Sequence, residues 1–280
     1  MRNILMDKFL IGIGDSFTQG QGSITPDLYE KYGDAVYESN HRLPIDAEER
    51  ANSWVGQLAK KLSDYYPINL GERGRGNRSA AKELYLNFLD SSSEKIVVYC
   101  LSGMERFDFV QKDFSVGNFY SMFPNPNYRE HKNELWRVYA RDIYSEQMAV
   151  VETILNIAEV QNWCQLNNAK LLIVSAFDTQ INREYFYETL PDKKKHLVDV
   201  VDWSLFWRPR GYDTFLHMLI DLQENKSDEV DDLKHGSFWH KYYKNFPCKE
   251  YITPCCHPTY KSHGLFASLL RQELRKREYV

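Results

Sequence analysis

Four short apolar runs, alternating with segments of helical spacing, constrain this 280-residue chain more than any other feature. The clearest is Lys95-Ile96-Val97-Val98-Tyr99-Cys100-Leu101, which reads as a buried strand because it is β-branched and apolar throughout. Residues 9–14 form the first run, Ile68-Asn69-Leu70 a short second, and residues 170–176 the fourth. Between them, Val55, Leu58, Ala59 and Leu62 recur at helical intervals after an opening Asn52-Ser53. Ala81, Leu84, Tyr85 and Phe88 share one helical face. Val150, Ile154, Ile157 and Cys164 share another, on a long helix expected over about 137–167. A last helix is expected from Tyr260 to Arg277, with Phe266, Leu269, Leu270 and Leu274 inward. Strand and helix in alternation predict a doubly wound α/β fold of flavodoxin-like type, with helices on both faces of a parallel sheet. One domain is expected to span residues 1–280.

Three stretches interrupt this rhythm. Residues 21–52 are polar, carry Pro26, Gly33 and Pro44, and read as a long loop. Residues 107–135 are aromatic and read as irregular. Residues 178–250 read as an insertion of short helices over the carboxyl ends of the strands. It carries Trp203, Phe206, Trp207, Trp239, Tyr242 and Tyr243, of which Trp203, Trp207 and Trp239 either line a sugar-binding cleft or form the core of the insertion.

The bulk chemistry narrows the partners. A net charge of −4 gives no general pull toward nucleic acid or anionic membrane. No run of ~18 apolar residues predicts a membrane span. The first residues lack the apolar stretch of a signal peptide, so a cytoplasmic location is the default expectation, with virion association open. Five cysteines do not suggest a disulfide framework. Cys255-Cys256-His257 is poorly spaced for tetrahedral zinc, and residues 71–76 lack a phosphate-loop ending. No metal and no cofactor are expected.

The first strand ends in Gly12-Ile13-Gly14-Asp15-Ser16, which places Ser16 where a parallel sheet delivers its chain to a crevice. Gly71, Gly74 and Gly76 follow the second strand, Ser102 to Arg106 the third, and His257 precedes the last helix. All four segments can converge at the carboxyl ends of the strands. An early serine and a late histidine can then meet as nucleophile and base.

Three of these blocks, in this order, resemble the SGNH (GDSL-type) hydrolase family, and the resemblance spans nearly the whole chain. Gly14-Asp15-Ser16 resembles its first block, Asn69-Leu70-Gly71-Glu72-Arg73-Gly74 its second, and His257-Pro258 with His263-Gly264 its last. Asn52-Ser53-Trp54 and Arg106-Phe107-Asp108 are similar to a branch of that family common in phage and bacterial genomes. The resemblance implies Ser16 as nucleophile, His257 as base, and an oxyanion hole from the backbone N–H groups of Ser16 and Gly74. Asp15, Ser102 and Arg106 are candidate substrate or oxyanion contacts. The implied activity is hydrolysis of a small-molecule or glycan ester, a carbohydrate O-acetyl group being the expected acyl. His263 is expected to be structural, Gly71 and Gly76 to serve the turn, and Asp15 to tie down its loop.

Two departures are visible. The family's third block offers an asparagine, absent from Ser102-Gly103-Met104-Glu105-Arg106. The acid usual three residues before the histidine is here Pro254, leaving a Ser-His dyad or a remote acid such as Asp178. A catalytically weakened domain that binds glycans or builds a virion is therefore the alternative.

Overall fold

A computed structural model of the protein describes residues 8–25, 27, 30–31, 43–87, 93–110, 119–122, 134–224, 250–253 and 257–280. Its centre is a four-stranded sheet of β1 (Lys8–Gly14), β2 (Tyr66–Asn69), β3 (Glu94–Leu101) and β6 (Ala169–Ser175). The order is β2-β1-β3-β6 and every pairing is parallel. The strand order therefore reverses beside β1, which is where such sheets open a crevice at their carboxyl ends.

The helices are α1 (Ser16–Gln19), α2 (Leu43–Asn52), α3 (Trp54–Lys61), α4 (Asn77–Asn87), α5 (Glu134–Val138), α6 (Glu146–Leu166), α7 (Arg183–Thr189), α8 (Phe215–Glu224) and α9 (Tyr260–Lys276). They divide the core in two, as a doubly wound sheet requires. Val55, Leu58, Phe266 and Leu270 from α3 and α9 pack on Leu10, Ile96 and Val98. Ala81, Leu84, Val150 and Ile157 from α4 and α6 pack on Ile11, Val97 and Tyr99. Consecutive β3 residues thus serve opposite faces, so its apolar run is continuous rather than alternating.

Four local readings change. Residues 43–52 of the expected loop form α2, whose inward side holds Ile45 together with the charged Glu49. Within 107–135, β4 (Phe107–Val110) and β5 (Phe119–Met122) pair antiparallel. The long helix begins only at Glu146, because the Ser145 hydroxyl accepts the Met148 N–H at 3.1 Å and caps it; a π-helical turn, Tyr139–Ile143, precedes it. The described part of 178–250 does hold short helices, but it runs beside β6. Trp207 N–H donates to the Ile173 carbonyl and Leu216 N–H to that of Ala176, both at 2.8 Å. Trp203 stacks on Phe206 with centroids 4.9 Å apart, and Trp207 packs on Phe266 at 5.3 Å. These tryptophans fill core rather than line a cleft, while Trp239, Tyr242 and Tyr243 lie outside the described residues.

Among the described residues, no helix is long and apolar enough to cross a membrane, and no cluster of three or more His, Cys, Asp or Glu side chains is placed to hold a metal ion.

Candidate active site

The chain leaves β1 at Gly14, whose φ of 151° suits glycine; a Cβ there would sit 2.4 Å from the Cys100 carbonyl oxygen. Asp15 follows as the cap of α1, its Oδ1 accepting the Phe17 N–H at 2.9 Å. Its Oδ2 accepts the Ser102 hydroxyl at 3.0 Å and Arg106 Nη1 at 3.2 Å. Asp15 is fully buried, and burial pushes its carboxyl above the ordinary range against the pull of Arg106. Asp15 therefore anchors the exit loop.

Ser16 is the next residue, and its Oγ lies 2.9 Å from His257 Nε2. Two residues 241 positions apart are thus within proton-transfer reach. Ser16 is only 4% exposed, so its hydroxyl is largely withdrawn from water. His257 is located by its own backbone. Thr253 N–H and Thr253 Oγ both donate to the His257 carbonyl, at 2.9 and 3.0 Å, and the His257 N–H lies 3.1 Å from the same Oγ. The His257 ring lies against Phe17, centroids 5.6 Å apart.

Gly74 stands exposed in the turn after β2, with φ of 71° and open space at its Cα. No described residue accepts from the N–H of Gly74 or Ser16. Gly71 serves a close approach, since a Cβ there would lie 2.3 Å from the Gln19 nitrogen in α1. Gly76 faces the buried Asp108 carboxylate, which accepts Gly76 N–H at 3.0 Å and Ser79 N–H at 2.8 Å.

The remaining candidates fall into supporting positions. The Ser102 hydroxyl donates to Asp15, and its backbone is held by the Asn77 side chain on both sides, N–H to Oδ1 at 2.8 Å and carbonyl to Nδ2 at 3.1 Å. With that hydroxyl already donating and the residue 1% exposed, Ser102 is a tether rather than a ready oxyanion donor. Arg106 binds Asp15 and the Arg75 carbonyl and lies 5.1 Å from the Phe177 ring centroid. Asp178 accepts the N–H groups of Met104 and Gln180, at 3.0 and 2.9 Å, which makes it a loop anchor and not the partner of His257. Burial, with Glu105 adding to it, raises the Asp178 carboxyl to about 7. His263 is fully buried and its Nδ1 accepts the Trp54 N–H at 3.2 Å, a structural role. Pro254, Cys255 and Cys256 lie outside the described residues.

Sequence reasoning missed a charged belt around the site. Asn69 Nδ2 donates to the carbonyls of Thr18 and Gln19 at 2.8 and 3.2 Å, tying the second block to α1. Arg50 Nη1 bonds the carbonyls of Asn69 and Gly71, and its Nη2 meets Glu72 at 3.0 Å. Glu49 and Arg73 pair beside them. The available signal was the i, i+4 placement of Ile45 and Glu49 on one helical face.

No protein-family model matches the chain, and no curated protein matches it in sequence. Several solved structures are similar to it. A carbohydrate esterase, 14% identical, aligns over 96% of this chain and 69% of its own, with a TM-score of 0.43. A member of the lipolytic protein G-D-S-L family from Veillonella parvula is 12% identical over 95% of this chain and 97% of its own, with a TM-score of 0.33. Phospholipase A1 from Streptomyces albidoflavus is 10% identical over 95% and 99%, also with a TM-score of 0.33.

Proposed function

We propose that the protein is a serine esterase of SGNH type that hydrolyses a small acyl ester, with a carbohydrate O-acetyl group as the favoured substrate. The observation that carries this reading is the 2.9 Å contact between Ser16 Oγ and His257 Nε2 at the carboxyl end of β1. A serine hydroxyl is a weak nucleophile until a base takes its proton. His257 Nε2 takes that proton as Oγ attacks the ester carbonyl carbon. The carbonyl oxygen becomes an oxyanion that the N–H groups of Ser16 and Gly74 receive, each such donor lowering the barrier by ~3 kcal/mol. Protonated His257 then gives its proton to the departing alkoxide, leaving an acyl-Ser16 intermediate. Water, activated by the same imidazole, releases the acid.

The second reading is a binding module of the same fold, in which Ser16 and His257 no longer turn over ester. The engagement of Ser102 with Asp15 favours it, because the third block lacks the family's asparagine and its serine hydroxyl is already committed. Hydrolysis of p-nitrophenyl acetate against longer acyl esters separates the two, with Ser16→Ala as control. Short-acyl turnover that disappears in Ser16→Ala, at unchanged melting temperature, is the expected result. Absence of turnover on any acetyl ester, together with measurable binding to a glycan, would replace the esterase by the binding module.

A further inference from the structure

Glu49 lies on α2, outside every sequence block of the site, and is fully buried. Its two carboxylate oxygens serve two different segments. Oε1 accepts the Gly22 N–H at 3.1 Å, and Oε2 accepts Arg73 Nη2 at 2.5 Å. The Gly22 side abuts the base, since a Cβ on Gly22 would lie 3.1 Å from His257 Cβ and 3.0 Å from Thr253 Cγ2. The Glu49 carbonyl reinforces this hold by accepting the Ser23 hydroxyl at 3.0 Å. The Arg73 side carries the oxyanion turn, because Arg73 directly precedes Gly74. Asp46, one helical turn back, takes Arg73 Nη2 at 3.2 Å and Gln19 Nε2 at 3.3 Å, linking the same arginine to α1.

We infer that Glu49 is a positioning residue that fixes the turn bearing Gly74 relative to the loop against His257, an inference that rests on the esterase reading above. One rigid carboxylate between the two segments sets the distance from base to oxyanion donor without touching substrate. Such spacing governs kcat, because a displacement of ~1 Å in a reacting constellation can cost ~100-fold. Burial pushes the Glu49 carboxyl upward while Arg73 opposes that push.

The test uses the full chain with Glu49→Gln, Arg73→Gln and the double variant, measuring kcat and KM on p-nitrophenyl acetate alongside melting temperature. Glu49→Gln keeps an acceptor for the Gly22 N–H but removes the charge opposite Arg73. Each single variant is expected to lose about 10- to 100-fold in kcat with KM within about twofold. The double variant is expected to lose no more than the worse single, since the pair acts as a unit. If Glu49→Gln does not fold, Arg73→Gln carries the test alone, because its side chain is partly exposed. Single variants with kcat within about twofold of wild type overturn the inference, as do losses that multiply in the double variant. In both cases an inactive Ser16→Ala leaves the esterase reading intact. A wild type inert to esters, whose Ser16 also fails to react with a fluorophosphonate, overturns the reading and the inference with it.

Discussion

Replacing His263 by asparagine isolates one titration that controls acid stability. Burial, with a smaller contribution from nearby His257, lowers the His263 imidazole to about 3. Its Nδ1 accepts the Trp54 N–H, so the neutral ring carries its proton on Nε2, which is buried with no hydrogen-bond partner among the described residues. In the unfolded chain an ordinary histidine titrates near ~6.5. Above that pH both states are neutral and the stability is fully present. Below it the unfolded state gains a proton that the folded state refuses, and stability falls by ~1.4 kcal/mol per pH unit until the folded ring protonates. At pH 5 the loss is therefore ~2 kcal/mol. Asparagine keeps an oxygen for the Trp54 N–H but cannot titrate. Buried carboxyls such as Asp15 and Asp178 act with the opposite sign, and both proteins share them, so the difference between the two proteins isolates the histidine. Urea unfolding followed by tryptophan fluorescence at pH 7.5 and 5.0 measures it. The wild type should lose ~2 kcal/mol more than His263→Asn across that interval. Equal losses would refute a neutral, buried His263.

Asp108→Ala leaves the buried Gly76 and Ser79 N–H groups without their acceptor, each worth about 1–3 kcal/mol, so denaturant unfolding should show a loss of about 3 kcal/mol or more. Gly71→Ala pushes a methyl toward the backbone of α1; a cost of about 1–3 kcal/mol is expected by the same assay, together with a kcat loss on p-nitrophenyl acetate larger than the fraction unfolded explains. Asp178, held near 7, stays protonated in the folded chain while the unfolded carboxyl ionises near ~3.9. Wild type should accordingly lose stability relative to Asp178→Asn as pH climbs from about 4 to 7, and a flat difference across that range in thermal melts would contradict the assignment.

What the sequence made legible was what apolar spacing encodes. The strands at 94–101 and 169–175 and the inward faces of α3 and α9 follow from periodicity alone, because burial on the sheet selects those side chains. Ser16 and His257 were legible because strand ends and helix starts of a parallel sheet share one pole. α2 was hidden because part of its inward side is the charged Glu49, which apolar periodicity scores as solvent-facing. The tethering of Ser102 was hidden for a different reason: Asn77 and Asp15 act through hydrogen bonds between distant segments, and no local pattern records such partners. The same limit applies to the tryptophans at 203 and 207, whose packing is decided by which flank of β6 the insertion follows.

The course of residues 206–216 along β6 also bears on how the protein behaves at high concentration. A seven-residue apolar strand left open at the margin of a sheet is a template for another chain. Here the Trp207 and Leu216 amides cap the carbonyls of Ile173 and Ala176. Among the described residues the opposite margin is β2, four residues long with Tyr66 62% exposed. Pro67 sits in its middle and has no N–H to offer a neighbour. The carboxyl half of the longer margin is covered and the shorter is chemically blunted, which shortens the open edge available to sheet-to-sheet pairing while the insertion stays docked.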